Sequence, residues 1–448
     1  MRQPSLLLHA ASSLLALPVL LLAGCESSTD PGDPSAEATL LVSPALATIE
    51  VGQMQQFSAL LQKHGGVQLS EAAVTWWSND EGLAIVNADG LAIGVDVGAL
   101  TISATSGSVS QSAELRVTAP LTEVWQRVGA GRPEAVLALT VHEGDLIAGG
   151  YSRTGGTDPQ RVARWNGASW QPIGAGMNAI VMALVVHQDH LIAGGHFTIA
   201  DGRTVNRITR WDGSSWQPMA SGFDGGVTAL AIHDGDLIAA GSFTTAGDQT
   251  VNHISRWDGA AWQPLGTGFN AEVLALSAHA GELIAGGSFT TAGDQTVNNV
   301  ARWDGAAWQP LGTGFNGGVL ALTTHSDELV AGGWFTTAGG QTANGIARWN
   351  GTEWLAIGSG MKEPVYTLTD YAGELIAGGY FMTAGSQTVN HVARWDGSGW
   401  QPMGTGLDEQ VEAFTVYEGQ LIAAGWFYGL GGSQSRGQLN FISRWRAP

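Results

Sequence analysis

The word Leu-Ile-Ala-Gly-Gly, or a close variant, returns along this chain with its Leu at positions 146, 191, 237, 283, 329, 375 and 421. The spacing is 45 residues once and 46 five times. An Arg-Trp pair ends each unit, with Trp at 165, 211, 257, 303, 349, 395 and 445. A second Trp series runs 125, 170, 216, 262, 308, 354 and 400, so fourteen of the 18 Trp are repeat positions and belong to a scaffold. The last Arg-Trp interval is 50, an insertion of four around 431–439. A repeat of about 40–50 residues made of short β runs dictates a propeller, because one such unit cannot bury its apolar face alone.

A single unit, residues 273–312, parses into strands at 273–279, 282–289, 300–303 and 307–312. The last two meet at Asp304-Gly305, a pair suited to a hairpin with positive φ, and the same Asp-Gly or Asn-Gly recurs at 166, 212, 258, 350 and 396. The seventh unit lacks this turn and a fourth strand. Trp125-Gln126-Arg127-Val128-Gly129 reads as a fourth strand with no preceding three. The expectation is an all-β chain with a seven-bladed β-propeller closed by an N-terminal outer strand, which leaves no exposed sheet edge.

The repeat also explains most chemistry-bearing residues structurally. Gly149-Gly150 and their equivalents permit close backbone approach between neighbouring blades. The seven Arg of the Arg-Trp pairs are expected to stack beside Trp and bridge blades near the turn Asp. His142, His187, His233, His279 and His325 share one position, continued by Tyr371 and Tyr417. Equivalent residues stand around a ring, whereas metal ligands converge to about 2 Å from one point, so a structural role is expected. No metal or other cofactor is implied.

Asn206, Asn252, Asn298, Asn344, Asn390 and Asn440 recur five residues before each repeat Trp, with Gln160 in the first unit. They lie in the loop between second and third strands. Two readings stand: Asn fastening a turn through its own backbone, or a ligand loop displayed by a rigid scaffold. Calcium is a weaker idea, since Asp248 and Asp294 stand alone. Four aromatic residues outside the Trp framework, Trp334, Tyr380, Trp426 and Tyr428, are candidates for stacking on a ligand. No G-x-S-x-G, H-E-x-x-H or Walker loop is present, and 242–252 and 288–298 are identical (SFTTAGDQTVN). Duplication suits a scaffold or a multivalent binder, since a catalytic site needs unlike residues placed once.

Ahead of the repeats, residues 38–118 alternate apolar and polar over short segments, the pattern of a β-sandwich. The words Val42-Ser43-Pro44, Val51-Gly52-Gln53, Val74-Thr75-Trp76-Trp77-Ser78, Ala88-Asp89-Gly90-Leu91 and 98–104 (GALTISA) resemble a group 2 bacterial Ig-like domain. That family commonly acts as a spacer in surface proteins, less often as an adhesive domain. Trp76 or Trp77 is expected to fill the core between the sheets. Residues 119–448 resemble the tandem Trp-rich GGxF…ARWDGxxW repeats of bacterial surface proteins and, more distantly, kelch-type propellers. The resemblance implies the fold and leaves the chemistry open.

The N-terminus begins Met1-Arg2-Gln3, followed by an apolar run over 6–22 and then Leu22-Ala23-Gly24-Cys25. The run is short for a membrane span, which needs about 20 apolar residues, and its flanks suit an export signal. The four residues resemble the lipobox of bacterial lipoproteins, in which the Cys is acylated; the alternative is an ordinary secretory signal. The expected organisation is a signal peptide at 1–24, a lipidated Cys25 with a disordered tether to 37, the Ig-like domain at 38–118 and the propeller at 119–448. Glu26 after the Cys, where that family's retention signal is Asp, favours the outer membrane or cell surface.

Composition narrows the partners. Formal charge is −20 with only two Lys, which excludes a typical nucleic-acid binder. From residue 119 onward 28 Asp/Glu face 16 Lys/Arg, which disfavours anionic polymers as ligands. One Cys excludes a disulfide framework. The expected protein is a monomer tethered to membrane by lipid alone, non-catalytic, binding an extracellular or periplasmic protein or glycan. The alternatives are an outer-membrane assembly scaffold and a propeller enzyme acting on an extracellular polymer.

Overall fold

The computed structural model describes residues 38–51, 53–63, 73–118, 124–132, 134–153, 156–429 and 441–446. Cys25, the segments 1–24 and 25–37, the insertion at 431–439 and Asn440 lie outside these. The chain divides between Pro120 and Leu121 into two compact units, and both are built of strands. No helix among the described residues is long and apolar enough to cross a membrane.

In the first unit, Leu46–Glu50 pairs in parallel with Val109–Thr118, which continues antiparallel to Gly98–Ser106 and then to Thr75–Ser78. A three-stranded sheet of Met54–Gln56, Leu91–Gly94 and Ala84–Val86 supplies further strands. Alternation along 109–118 buries Ala113, Leu115 and Val117 and exposes the residues between them, as a one-sided sheet requires. Phe57, Ile102 and Leu115 form the centre. Trp76 packs at the edge of this core, 6.4 Å from Phe57 between ring centres, while Trp77 is exposed.

The second unit is a β-propeller of repeated four-stranded antiparallel sheets, seven among the described residues. One sheet runs Val273–His279, Glu282–Gly287, Val300–Trp303, Trp308–Pro310 in spatial order. The second strand is buried along nearly its whole length, hence its continuous apolar word, whereas the first alternates. Third and fourth strands are tied by cross-strand Trp pairs such as Trp303 and Trp308, 5.4 Å between ring centres. The turn between them is a four-residue loop. The Asp304 carboxylate accepts from the amides of Ala306 (2.9 Å) and Ala307 (2.8 Å), and Gly305 holds φ 94°. These bonds keep Asp304 well below the usual carboxylate range.

Adjacent sheets are stitched by the outer-strand Trp. Trp308 Nε1 donates to the Leu265 carbonyl at 3.0 Å, and Trp170, Trp216, Trp262, Trp354 and Trp400 repeat the bond one sheet apart. Trp125 on Val124–Arg127 donates to Met403 at 3.2 Å. Its strand pairs with Ile442–Arg446, and the order continues to Gln420–Gly425 and Val411–Tyr417.

The two glycines of the repeat serve different contacts. A Cβ on Gly286 would meet Val319 of the next sheet, and Ala stands at this position as Ala240 and Ala424. A Cβ on Gly287 would lie 2.2 Å from the Glu272 carbonyl oxygen of the same sheet, and Gly recurs there in all seven units. Close approach between neighbours therefore concerns only the first glycine. The Arg of the Arg-Trp pairs also differ from expectation. Arg256 meets Asp236 at 2.8 Å, Arg348 meets Glu328 at 2.6 Å and Arg394 meets Glu374 at 3.0 Å, each inside one sheet. The second strand begins with the acidic partner, two residues before the one paired with the Arg and on the same face, so these Arg clip strands together diagonally and do not bridge blades.

Candidate binding site at the channel mouth

The first strand of every sheet faces a central channel with a cavity of about 230 Å³. Its floor is a ring of seven apolar side chains at the fourth position of that strand: Leu139, Leu184, Leu230, Leu276, Leu322, Leu368 and Phe414. Two positions earlier a β-bulge turns the second residue into the channel. There the repeat reads Leu137, Met182, Thr228, Leu274, Leu320, Tyr366 and Glu412. Tyr366 and Glu412, on adjacent sheets, break the apolar sequence and line the cavity.

Glu412 is held where it is. Gln410 Nε2 donates to its carboxylate at 2.9 Å, and the Trp426 indole donates a second hydrogen bond. Burial against the apolar ring nevertheless pushes its pKa up to about 7, with the two donors opposing that rise. Burial, then the charges of Glu412 and Tyr380, raise the Tyr366 phenol above its ordinary value.

The rim above these residues comes from one repeat position, the residue following the second strand. It reads Tyr151, His196, Ser242, Ser288, Trp334, Tyr380 and Trp426. Its amide donates to the carbonyl just ahead of the first strand, as Tyr380 does to Pro364 (3.0 Å), Trp334 to Gly318 (3.1 Å) and Trp426 to Gln410 (3.0 Å). This bond sets the rim at the channel end nearest Tyr366 and Glu412. Four consecutive sheets therefore carry aromatic rings: Trp334, Tyr380, Trp426 and, across the pairing of Val124–Arg127 with Ile442–Arg446, Tyr151. Tyr151 and Trp426 lie 5.6 Å apart between ring centres. Trp334 is 60% exposed and Tyr380 49%, unusual for side chains of this size. Tyr380 also stands 6.0 Å from the His391 ring, whose burial pulls its pKa below the ordinary value.

Of the sequence-derived candidates, Trp334, Tyr380 and Trp426 are brought to this rim. Tyr428 packs against the same buried cluster as Tyr151 and Trp426, edge-on to Phe441 at 5.1 Å, with its amide bound to the Asp408 carboxylate. The repeated Asn occupy a different place. Asn252 Nδ2 donates to the Thr267 carbonyl (3.0 Å), Asn298 to Thr313 (3.0 Å) and Asn390 to Thr405 (2.9 Å). Asn206 and Asn344 make the same bond, to Ser221 and Ser359. Asn206, Asn252, Asn298 and Asn390 also hold φ between 41° and 48°, a left-handed backbone that Asn tolerates. Their amides thus fasten the loop. The His ring reaches the next sheet: His142 to the Asp189 carbonyl, His187 to Gly235, His279 to Thr324 and His325 to Asp370 at 2.6 Å. No group of three or more His, Cys, Asp or Glu suited to a metal occurs among the described residues.

Glu412, Tyr366, Gln410 and Tyr151 were not singled out from sequence. Aligning the units at the second position of the first strand shows Glu and Tyr among Leu, Met and Thr, and that departure is the signal that marks them.

Residues 38–117 match the bacterial Ig-like domain (group 2) family, and residues 326–351 match a β-propeller family described as a domain of unknown function, DUF5122. A curated protein named Ice-binding protein 1, from Shewanella frigidimarina, is 38% identical over 81 residues, 18% of this chain; the chain spans only 9% of that protein's length. Among solved structures, the computationally designed Ika8 protein aligns over 71% of this chain and 98% of its own, at 16% identity and TM-score 0.44. Domains 4 and 5 of the S-layer protein SbsC align over 18% of this chain and 51% of theirs, at 23% identity and TM-score 0.17.

Proposed function

We propose that this chain is a cell-envelope lipoprotein, anchored through Cys25, whose Ig-like domain is a spacer and whose seven-bladed closed propeller is a non-catalytic binding module. The ligand is a protein or glycan outside the cytoplasm. The observation that carries the binding reading is the arc of aromatic side chains at the channel mouth, with Trp334 and Tyr380 left exposed on a scaffold whose outer-strand Trp, such as Trp216, Trp262, Trp308, Trp354 and Trp400, are buried. Large aromatic rings in one patch supply contact area at low entropic cost, the usual make-up of a recognition surface. The repeated Asn loops are tied up in backbone bonds, which favours one site at the mouth over several equivalent loops.

The reading is tested on an array of glycans and envelope proteins. Wild type is expected to retain a ligand that the double variant Trp334→Ala, Tyr380→Ala loses, at an unchanged melting midpoint. Retention of no ligand by wild type, or equal retention by both, overturns it. Anchoring is tested by Cys25→Ala, which should release folded protein from membranes; a variant still sedimenting with membranes after a carbonate wash removes the lipoprotein reading. Closure is supported by the pairing of Val124–Arg127 with Ile442–Arg446 and by the Trp125 bond to Met403. Deleting 121–131 should expose an edge and promote aggregation. A deleted chain that stays monomeric with its melting midpoint unchanged sinks the closed ring.

A further inference from the structure

We infer that the channel mouth receives a lysine side chain presented by a partner protein, its alkyl stem against the aromatic rim and its ammonium on the Glu412 carboxylate. The inference rests on the binding reading above and names the chemistry of that site.

The cavity selects for something small. At about 230 Å³ it falls below the roughly 300–1,000 Å³ of pockets that enclose a whole small ligand, so it suits one side chain reaching in from outside. The order of chemistry with depth matches lysine. Outermost are the rings of Trp334, Tyr380, Trp426 and Tyr151, apolar faces for a four-carbon stem. Below them stands the Glu412 carboxylate, and two positions further along the first strands lies the ring of six Leu and Phe414. A neutral alkyl chain leaves Glu412 unpaired. An anion is repelled, and a planar guanidinium has a wider head than a compact ammonium.

Charge points the same way. Gln410 and Trp426 each give Glu412 one hydrogen bond, and both are neutral donors. The carboxylate is therefore positioned by fixed dipoles and keeps acceptor capacity for a cation. No Lys, Arg or His makes an ion pair with it among the described residues; on the first sheet, Arg153 is engaged by Glu134 at 3.9 Å. The rings over the site favour a cation on their faces. The propeller's excess of 28 acidic over 16 basic residues attracts a basic partner from a distance.

The groups facing Glu412 are Gln410 just ahead of its strand, Trp426 just after the second strand and Tyr366 from the neighbouring sheet. Tyr380, His391, Glu363, Asp408 and Glu409 stand farther around the mouth. A bound ammonium holds Glu412 ionised, so affinity should fall as acid protonates the free site.

The test titrates the full chain with Nα-acetyl-lysine methylamide, following Trp fluorescence and calorimetry. Controls are its Nε-acetylated form, of similar length and neutral, and choline, a cation without a comparable stem. The expected result is saturable binding of the lysine amide at pH 8. It should be at least tenfold weaker for the Nε-acetylated form, about tenfold weaker for Glu412→Gln and about tenfold weaker for wild type at pH 5. Choline should bind less well than the lysine amide. Melting midpoints confirm that each variant is folded, and Glu412→Asp, which keeps the charge, should recover part of the affinity. Equal binding of the two lysine forms, preference for choline, or no loss in folded Glu412→Gln overturns the inference. If the array yields a ligand and the lysine amide does not bind, the lysine inference falls and the binding module stands. If neither yields a ligand, both fall.

Discussion

Two arcs of the same propeller make the instructive comparison. In the third and fourth units the stretches 242–252 and 288–298 are identical, the rim carries Ser242 and Ser288, and the second residues of the first strands are Thr228 and Leu274. Across the fifth, sixth, seventh and first units, those rim positions hold Trp334, Tyr380, Trp426 and Tyr151, and the sixth and seventh place Tyr366 and Glu412 in the channel. Both arcs keep the outer-strand Trp bond and the second glycine. The scaffold is what repeats, and the candidate site is what departs from the repeat. A residue constrained by sheet packing cannot vary between units, whereas a rim side chain pointing away from the core can.

The sharpest way to break that comparison is at the glycines. Gly287→Ala places a Cβ 2.2 Å from a backbone oxygen that cannot swing aside, and should cost on the order of 3 kcal/mol or abolish cooperative unfolding. Gly286→Ala, at a position where Ala240 and Ala424 are native, should cost about 1 kcal/mol or less. Chemical denaturation of the two variants measures the gap, and equal costs would refute the assignment of the second glycine to the scaffold.

Next comes the contrast between Trp of the two kinds. Trp308 is 2% exposed and bonded to Leu265, so Trp308→Ala should destabilise by roughly 3–5 kcal/mol. Trp334→Ala removes a ring that is 60% exposed and should change stability by no more than about 0.5 kcal/mol. A large loss at Trp334 would make it framework and remove it from the site.

Glu412 sharpens the comparison through pH. Its folded pKa, about 7, lies above the ordinary value, so the folded state binds the proton more tightly than the unfolded chain. Protonation therefore contributes stability that is full below about pH 4.5 and is lost as pH rises through 7. Glu412→Gln should stabilise the chain by roughly 2 kcal/mol at pH 8 and by little at pH 4.5, read from paired denaturation curves. The turn carboxylates of Asp212 and Asp396, held well below their ordinary range by backbone amides, act in the opposite sense and lose stability as pH falls. A Glu412→Gln effect that does not change with pH would show that the carboxylate is not desolvated in the channel.

The repeated loops come last, because no change in ligand retention is expected from them. Asn298→Ala removes the bond to Thr313 and leaves Ala in a left-handed backbone, for a cost of about 1–2 kcal/mol. Changing Asn252, Asn298, Asn344 and Asn390 together should add these costs and leave ligand retention unchanged in protein that remains folded. Loss of ligand with unchanged stability would restore the loops as the site.

The repeat period, the strand words, the paired Trp and the Asp-Gly turns were all legible in the chain, because each is local: alternation, spacing and turn chemistry depend on residues close in sequence. So was the alternating sandwich pattern ahead of them. Trp334, Tyr380 and Trp426 could be noticed as aromatics outside the framework, but not that they share a rim with Tyr151, some 275 residues from Trp426 along the chain by roughly six repeat periods and 5.6 Å away in space. The partner of the Asn298 amide is a carbonyl fifteen residues downstream, and the Arg partners follow from a register that sets Arg302 opposite Ile284 and within 2.5 Å of Glu282. Glu412 stands out in sequence only as a departure from its repeat position, which says nothing of its surroundings. Only the bulge that turns it inward, and the apolar ring that strips its water, make it a desolvated carboxylate, because solvation is a property of everything that surrounds a group and not of its neighbours in the chain.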